Sequence, residues 1–288
     1  MTTATRARID VYEHVTDRII EKLEQGVVPW HCPWKTSDEM PHNLRSKKQY
    51  RGVNLFLLGL DIRYESPYWL TFKQAKDLGG SVRRGEKSTL VVFWKLLETN
   101  DKGTGEKINI PILRHYRVFS TDQCDLPAGK VPEVEQAKNE HTPIEMCERV
   151  IAEMVDAPEI RHGAKGACYL IDDDTVHMPN PERFETPESY YASLFHELSH
   201  STGARNRLDR DMGAFGSTAY GREELVAEMA AAFLCGHCGI EQRHDASAAY
   251  LQGWIRILKG DKKLAIQAAG AAQKAADRIL GTTFDDEE

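Results

Sequence analysis

Residues 196–200 read His196-Glu197-Leu198-Ser199-His200. On a helix, side chains four apart share a face, so both imidazoles can point at one ion. Glu197 sits beside the first histidine and reaches a water held at that ion. Zinc lowers the pKa of such a water to about 7, and the glutamate takes its proton as general base. The preceding residues, Tyr190–Leu194, are apolar and compatible with a helix.

A catalytic zinc needs a third protein ligand. One known pattern continues His-x-x-Gly-x-x-His. Here Gly203 fits, but Asn206 stands at the last position and is a poor zinc ligand. The alternative takes a glutamate from a second helix, and Gly221-Arg222-Glu223-Glu224-Leu225-Val226-Ala227-Glu228 offers it. Glu224 and Glu228 lie four apart on one face. Glu224 is taken as the ligand, and Glu228 as the residue that holds a ligand histidine through its second nitrogen. The reverse assignment stays open. The order resembles the thermolysin-type Asn-Glu-x-x-Ser-Asp helix. Glu223 is expected to point elsewhere, into solvent. A site of two histidines and one carboxylate takes zinc, and it also accepts manganese, cobalt or iron.

Nearby residues are weighed against the same site. Thr175–Met178 reads as a strand forming the edge along which an extended peptide would lie. His177 within it reads as structural rather than as a ligand. Tyr220 and Tyr250 are both candidates to donate to an oxyanion, and the sequence does not choose between them. Cys235-Gly236-His237-Cys238 matches a redox dithiol. It falls where a helix ends rather than where one starts, so the match is coincidental.

The chain has 288 residues, enough for two domains or one large one. Its 41% hydrophobic and 28% charged residues exclude disorder throughout. No run approaches the roughly 18 apolar residues of a membrane span. Met1–Asp10 lacks the apolar core of a secretory signal. Six cysteines at this length make no disulfide framework, so a cytoplasmic protein with reduced thiols is expected.

Periodicity predicts helices over 9–25, 53–63 and 72–78, the last capped by Thr71. Thr89–Leu97 and Ile108–Ser120 are rich in β-formers on either side of a polar loop, and read as a hairpin. Further helices are expected over 144–155, 189–201, 221–237, 246–259 and 262–279, with short strands at 167–171 and 175–178. The stretch 126–143 carries three prolines and several charges. The expected fold is therefore α+β: a mixed α/β domain over 1–126, a linker over 127–143, and a mostly helical domain with a small sheet over 144–288.

Net charge is −7, divided as +5 over residues 1–130 and −12 over 131–288. In the basic half, aromatic and cationic residues interleave. Trp34, Arg45, Lys47, Lys48, Tyr50, Arg51, Lys73, Arg83, Arg84 and Lys87 are the candidate DNA contacts. Single-stranded DNA is held by bases stacking on aromatic faces while cations track phosphates. Trp69 and Phe72 are assigned to the core.

The whole chain resembles the ArdC-type antirestriction proteins of conjugative plasmids, and the matching N-terminal region of some plasmid primases. The N-terminal resemblance rests on Pro29-Trp30…Pro33-Trp34, Tyr50-Arg51-Gly52-Val53-Asn54, Trp69-Leu70-Thr71-Phe72-Lys73-Gln74-Ala75 and Gly79-Gly80-Ser81-Val82-Arg83-Arg84-Gly85-Glu86-Lys87. The C-terminal resemblance rests on residues 196–203, Arg207-Leu208 and 223–228. Many relatives carry a histidine where this chain has Ala204; its absence here implies that the position is not needed for the metal. The resemblance implies an N-terminal domain that binds single-stranded DNA, double strands more weakly. It also implies a C-terminal zincin-like, gluzincin-type metallopeptidase domain, and protection of incoming plasmid DNA from host restriction. Two functions compete on these expectations. One is protection by coating DNA; the other is a zinc endopeptidase that cleaves a host restriction-system protein, with DNA binding only for localisation.

Overall fold

Asp10 opens the first helix, α1 (Val11–Glu24), its carboxylate accepting from the N–H groups of Tyr12 and Glu13 at 3.0 and 3.2 Å. The computed structural model describes residues 9–31, 40–60, 64–100, 103, 107–132, 142–214, 216–240 and 248–282. After α1 come a single 3-10 turn over Pro29–His31, strand β1 (His42–Asn43) and helix α2 (Val53–Gly59). Strand β2 (Tyr68–Thr71) runs into α3 (Phe72–Asp77), which Thr71 and Gln74 cap reciprocally. Strands β3 (Ser81–Val82), β4 (Thr89–Asn100), β5 (Lys107–Ser120) and β6 (Cys124–Asp125) follow. Beyond the linker lie α4 (Pro143–Glu153) and strands β7 (Glu159–His162), β8 (Cys168–Leu170) and β9 (Thr175–Met178). The chain then turns helical: α5 (Pro187–Ser201), α6 (Thr218–Cys238), α7 (Ala248–Gly260) and α8 (Leu264–Ile279).

The α+β expectation holds. The first sheet has the order β1-β2-β5-β4, with β1 parallel to β2 and the other pairs antiparallel. β3 and β6 form a separate pair, and the third sheet has the order β7-β9-β8. The expected hairpin is β4–β5, longer than its sequence signal. Short β1, β2 and β7 carried no alternation to announce them. Strand β9 is the centre of its sheet, not an edge, because β7 pairs on one side and β8 on the other.

The apolar core does not divide at the linker. One cluster takes Val15, Trp30, Phe56 and Val92 from the first half, and Phe195, Phe233, Trp254 and Ala269 from the second. Phe56 stacks on Phe233 with ring centroids 4.9 Å apart, and Trp30 meets Trp254 edge-on at 5.1 Å.

Tyr50–Asn54 fastens the first half to α8 and to β4. Arg51 forms an ion pair with Asp277, and the Gly52 N–H donates to Gln273 Oε1 at 2.9 Å. Gly52 takes φ +56°, a conformation that favours glycine. Asn54 then completes the edge of β4, donating to the Val92 carbonyl at 2.6 Å and accepting from its N–H at 2.7 Å.

Removing the ring at the centre of this junction tests whether the core is shared. Phe56→Ala should cost about 3–5 kcal/mol. In urea this is read as a lower midpoint with an unchanged slope and a single transition. Two separate transitions would show that the halves unfold independently.

Candidate metal centre

Helix α5 begins with Thr186 accepting from Ser189 N–H, and Pro187 fills its first turn. Its inner face then presents His196, Glu197 and His200. Glu197 and His200 are buried, each 8% exposed. From Leu225 to Cys235 helix α6 is apolar except at Glu228, which faces the site, and so is enclosed rather than surface-lying. Packed against α5, it brings Glu223, Glu224 and Glu228 to the histidines.

His196, His200 and Glu224 each offer one ligand atom, and the three atoms lie within 4.8 Å of one another. The two Nε2 atoms are 3.1 Å apart. Glu224 Oε1 lies 3.5 Å from His200 Nε2, and Oε2 lies 3.7 Å from His196 Nε2. Like donor atoms converging this closely, with a carboxylate across from them, fit a divalent cation. Among the described residues, no fourth joins the group.

The remaining ring nitrogens are held from behind. Glu228 Oε1 stands 3.7 Å from His196 Nδ1, and its other oxygen stands 3.7 Å from His31 Nε2. His31 belongs to the N-terminal half, and nothing in the sequence tied it to this site. Behind His200 is Glu223, with Oε1 3.3 Å from Nδ1. Glu223 is 3% exposed, so the expectation that it faces solvent is corrected. Arg210 forks onto it, Nε to Oε2 at 2.9 Å and Nη2 to Oε1 at 2.7 Å. The same guanidinium donates to Thr202 Oγ1 at 2.7 Å and to the Ser199 carbonyl at 2.8 Å. The chain passes close enough here that a Cβ on Gly203 would meet Met212 Sδ at 2.4 Å. The signal that placed Glu223 was present in the sequence: the stretch Leu225–Cys235, apolar but for Glu228, leaves that part of α6 no solvent face.

Burial alone would lower the His200 imidazole, but bonds to Glu223 and Glu224 outweigh it and push it up to about 10. Burial would raise Glu224, yet its bond to His200 and the charges of both histidines hold it down at about 2. Tyr220 shares a hydrogen bond with Glu224, and its hydroxyl is raised, first by burial and then by that carboxylate. Tyr250 is 57% exposed and leans on Trp254. Tyr220 is bound into the cluster through Glu224.

His177 does not join the cluster; it sits mid-sheet, paired in register with Arg161 and Cys168. The strand bordering the site is β8, an edge of its sheet packed on α5. Cys168 on β8 is close enough to Glu197 to feel its charge. Asn206 is exposed. Cys235 and Cys238 end α6 and are buried. Burial raises the first thiol, and the bond with Cys147 raises the second, which makes neither a redox nucleophile.

The expected DNA contacts divide into two groups. Lys47, Lys48, Lys73, Arg84 and Lys87 are exposed. Arg45 pairs with Asp77 at 3.1 Å. Arg51 is taken up by Asp277, and Tyr50 is half-buried against the core. Arg83 is turned back onto the Asp122 carbonyl and lies 3.7 Å from Asp125. Tyr50 and Arg51 are thus engaged within the fold, while Arg83 is paired at the surface. Trp34 lies outside the described residues. Trp69 is core, but Phe72 is 49% exposed, contrary to expectation, because α3 lies on the surface.

Comparison with known proteins finds the same two halves. Residues 145–271 match a zincin-like metallopeptidase family, and residues 9–119 match the N-terminal domain of anti-restriction factor ArdC. The metal-free crystal structure of the antirestriction ArdC protein from the R388 plasmid aligns with a TM-score of 0.77 at 38% identity. The alignment covers 96% of this chain and 100% of that one. The chain belongs to the ArdC antirestriction family. The Mn(II)-bound structure of that ArdC protein aligns with the same TM-score, 0.77, and 38% identity, over 95% of this chain and 98% of that one. A protein of Sinorhizobium fredii, y4eC, is 36% identical over 93% of this chain and 91% of its own length. The DNA primase TraC of Escherichia coli is 34% identical over 93% of this chain. The match spans only 27% of the primase.

Two predictions concern this ArdC-type centre. The first concerns pH. The His200 pKa is raised from 6.5, so the stability it contributes to the metal-free protein is full below about 6.5 and is lost as pH climbs through about 10. The Glu224 pKa is depressed from 4.5, so its contribution is full above about 4.5 and is lost as pH falls through about 2. A metal takes the imidazole neutral and releases its proton, so it binds tighter as pH rises. Melting in a chelator should lose Tm from pH 6.5 upward. The Tm increment from added Mn(II) should grow over the same range, and a shrinking increment would contradict the assignment. The second concerns Glu223→Gln, which removes the charge behind His200 and leaves Arg210 unanswered. Metal affinity, read by competition with a chelating dye, should fall roughly 10- to 100-fold. Unchanged affinity would reduce Glu223 to a packing residue.

Proposed function

We propose that the protein binds single-stranded DNA and shields incoming plasmid DNA from host restriction endonucleases during conjugation. DNA contact is assigned to residues 1–126, and a divalent ion, zinc or manganese, to His196, His200 and Glu224 in the part spanning 144–288. The supporting observation is the relationship to ArdC along the whole length, 96% of this chain against 100% of that one at 38% identity. Coating an entering strand blocks an endonuclease without any turnover. Lys47, Lys48, Lys73, Arg84 and Lys87 are exposed and are the cations assigned to phosphates. Duplex DNA, stiffer and with its bases stacked away, is expected to bind more weakly. The setting is the bacterial cytoplasm.

A second reading is favoured by Glu197, which is 8% exposed and adjacent in sequence to His196. Here the protein is a metallopeptidase acting on a host restriction-system protein. The ion would polarise a peptide carbonyl. Glu197 would take and return the proton, and Tyr220 stands nearby as a hydroxyl donor. Edge strand β8 could pair with an extended peptide.

Conjugation into restricting and non-restricting recipients separates the readings. The wild-type protein should raise transfer only into the restricting strain. Under the coating reading Glu197→Gln keeps that protection, while joint replacement of Lys47, Lys48, Arg84 and Lys87 by alanine loses most of it. Loss of protection in Glu197→Gln, with DNA binding intact, would establish the peptidase reading instead.

A further inference from the structure

We propose that one face of the β4–β5 hairpin is the platform on which a single strand lies, its bases stacking on Tyr116 and its phosphates meeting Lys95 and Arg114. The inference rests on the single-strand reading above and gives it a place in the fold. It uses residues that the interleaved basic loops do not contain.

Register defines the face. Val91 pairs with Tyr116, Phe93 with Arg114, Lys95 with Ile112, and Leu97 with Ile110. Partners directly opposite point to the same side of a sheet, and so do residues two apart. At its base this face is sealed, where Val91 and Val118 pack with Trp69 and Leu58. Beyond Val91 the hairpin leaves the core and the face opens. Phe93 and Tyr116 stack there with centroids 4.5 Å apart and planes 4° from parallel. Tyr116 is nevertheless 55% exposed. Leu97 and Ile110 are 44% exposed further out.

The charge on this face is of one sign. Lys95 and Arg114 are exposed, and among the described residues neither has an ion-pair partner. From Val91 to Leu97 and from Ile110 to Val118 the face carries no Asp or Glu. Glu98 points to the other side, where Lys107 neutralises it at 2.6 Å. Trp94 is on that other side too, 6.5 Å from Tyr12 of α1.

A flat, open aromatic stack flanked by uncompensated cations matches the chemistry of an unpaired nucleic-acid strand, which has a π-face at every base and a charge at every phosphate. A second copy of the same face is a poorer occupant. A two-fold contact would set Lys95 and Arg114 against their own counterparts, and like charges across an interface are costly.

The test is fluorescence anisotropy of labelled oligothymidylate, oligouridylate and a mixed-sequence duplex, at low and near-physiological salt, with the full chain. Wild type should bind the single strands best. Tyr116→Ala should weaken that binding roughly five- to hundredfold, while Tyr116→Phe, which keeps the ring, should bind as wild type does. Joint Lys95→Ala and Arg114→Ala should lower the slope of log affinity against log salt by about 1.4, the value for two lost single-strand phosphate contacts. Oligothymidylate bound as tightly as oligouridylate supports a DNA ligand; a strong preference for the ribo-oligomer overturns it. If wild type binds and Tyr116→Ala binds equally, the platform is overturned while the single-strand reading stands. If wild type binds no single strand, both fall together. A wild-type dimer whose mass by light scattering halves in Tyr116→Ala would overturn the platform in favour of self-association.

Discussion

Several ionisable groups are enclosed between α5 and α6, and enclosed charge must be answered by charge. Glu223, at 3% exposure, has no access to water that could solvate it. Its carboxylate is answered twice, by the His200 ring and by the forked guanidinium of Arg210. Breaking a buried pair of this kind costs about 3–5 kcal/mol, because one charge is left stranded. That cost fixes more than one residue. It orients the His200 ring with Nε2 toward Glu224, and it ties the connection after α5 to the start of α6. Arg210 also satisfies the Ser199 carbonyl, so the end of α5 is held by the same side chain. Convergence of the three ligand atoms follows from this network rather than from the ligand residues alone.

The same logic reaches into the N-terminal half. Glu228 is placed between His196 and His31, and His31 sits on the turn that begins with Pro29 and Trp30. Trp30 is buried against Phe56 and Trp254. The position of His31 is therefore set by core packing that spans both halves. Metal site and N-terminal sheet are attached to one hydrophobic body, and Arg51–Asp277 and Asn54–Val92 close the joint from the other side.

Elements with a long period were legible in the sequence. Helices α5 and α6 and the β4–β5 hairpin announce themselves by pattern, and the His-Glu-x-x-His spacing needs only helical geometry to bring its imidazoles together. What escaped was whatever depends on contacts distant in sequence. Strand β7, Glu159–His162, is mostly exposed and exists because β9 pairs with it. The edge expected at β9 falls instead to β8, because the unread β7 pairs along the other side of β9. The face shared by Glu224 and Glu228 points Glu223 away, whereas the stretch Leu225–Cys235, apolar but for Glu228, already implies an enclosed helix. His31 carries no local signal at all.

Charge counting alone does not locate a surface, for a related reason. The first half has a surplus of cations, but a cation's place on a list does not say what it faces. Arg45, Arg51 and Arg83 are spent on Asp77, Asp277 and the Asp122–Asp125 turn. Their charge is partly answered within the fold. Lys95 and Arg114 look ordinary in the sequence, two charges among β-formers in a hairpin. Only the register shows that they share a side with Phe93 and Tyr116, and that the nearest carboxylate of β4, Glu98, is turned to the other side and neutralised there. Screening acts over about 8 Å at physiological salt, so what an approaching phosphate meets is the local face rather than the net charge of the domain. A strand alternates its sides with each residue. That alternation gathers like charges beside exposed rings without changing composition, and it gives this half a coherent surface on the hairpin in addition to the basic loops.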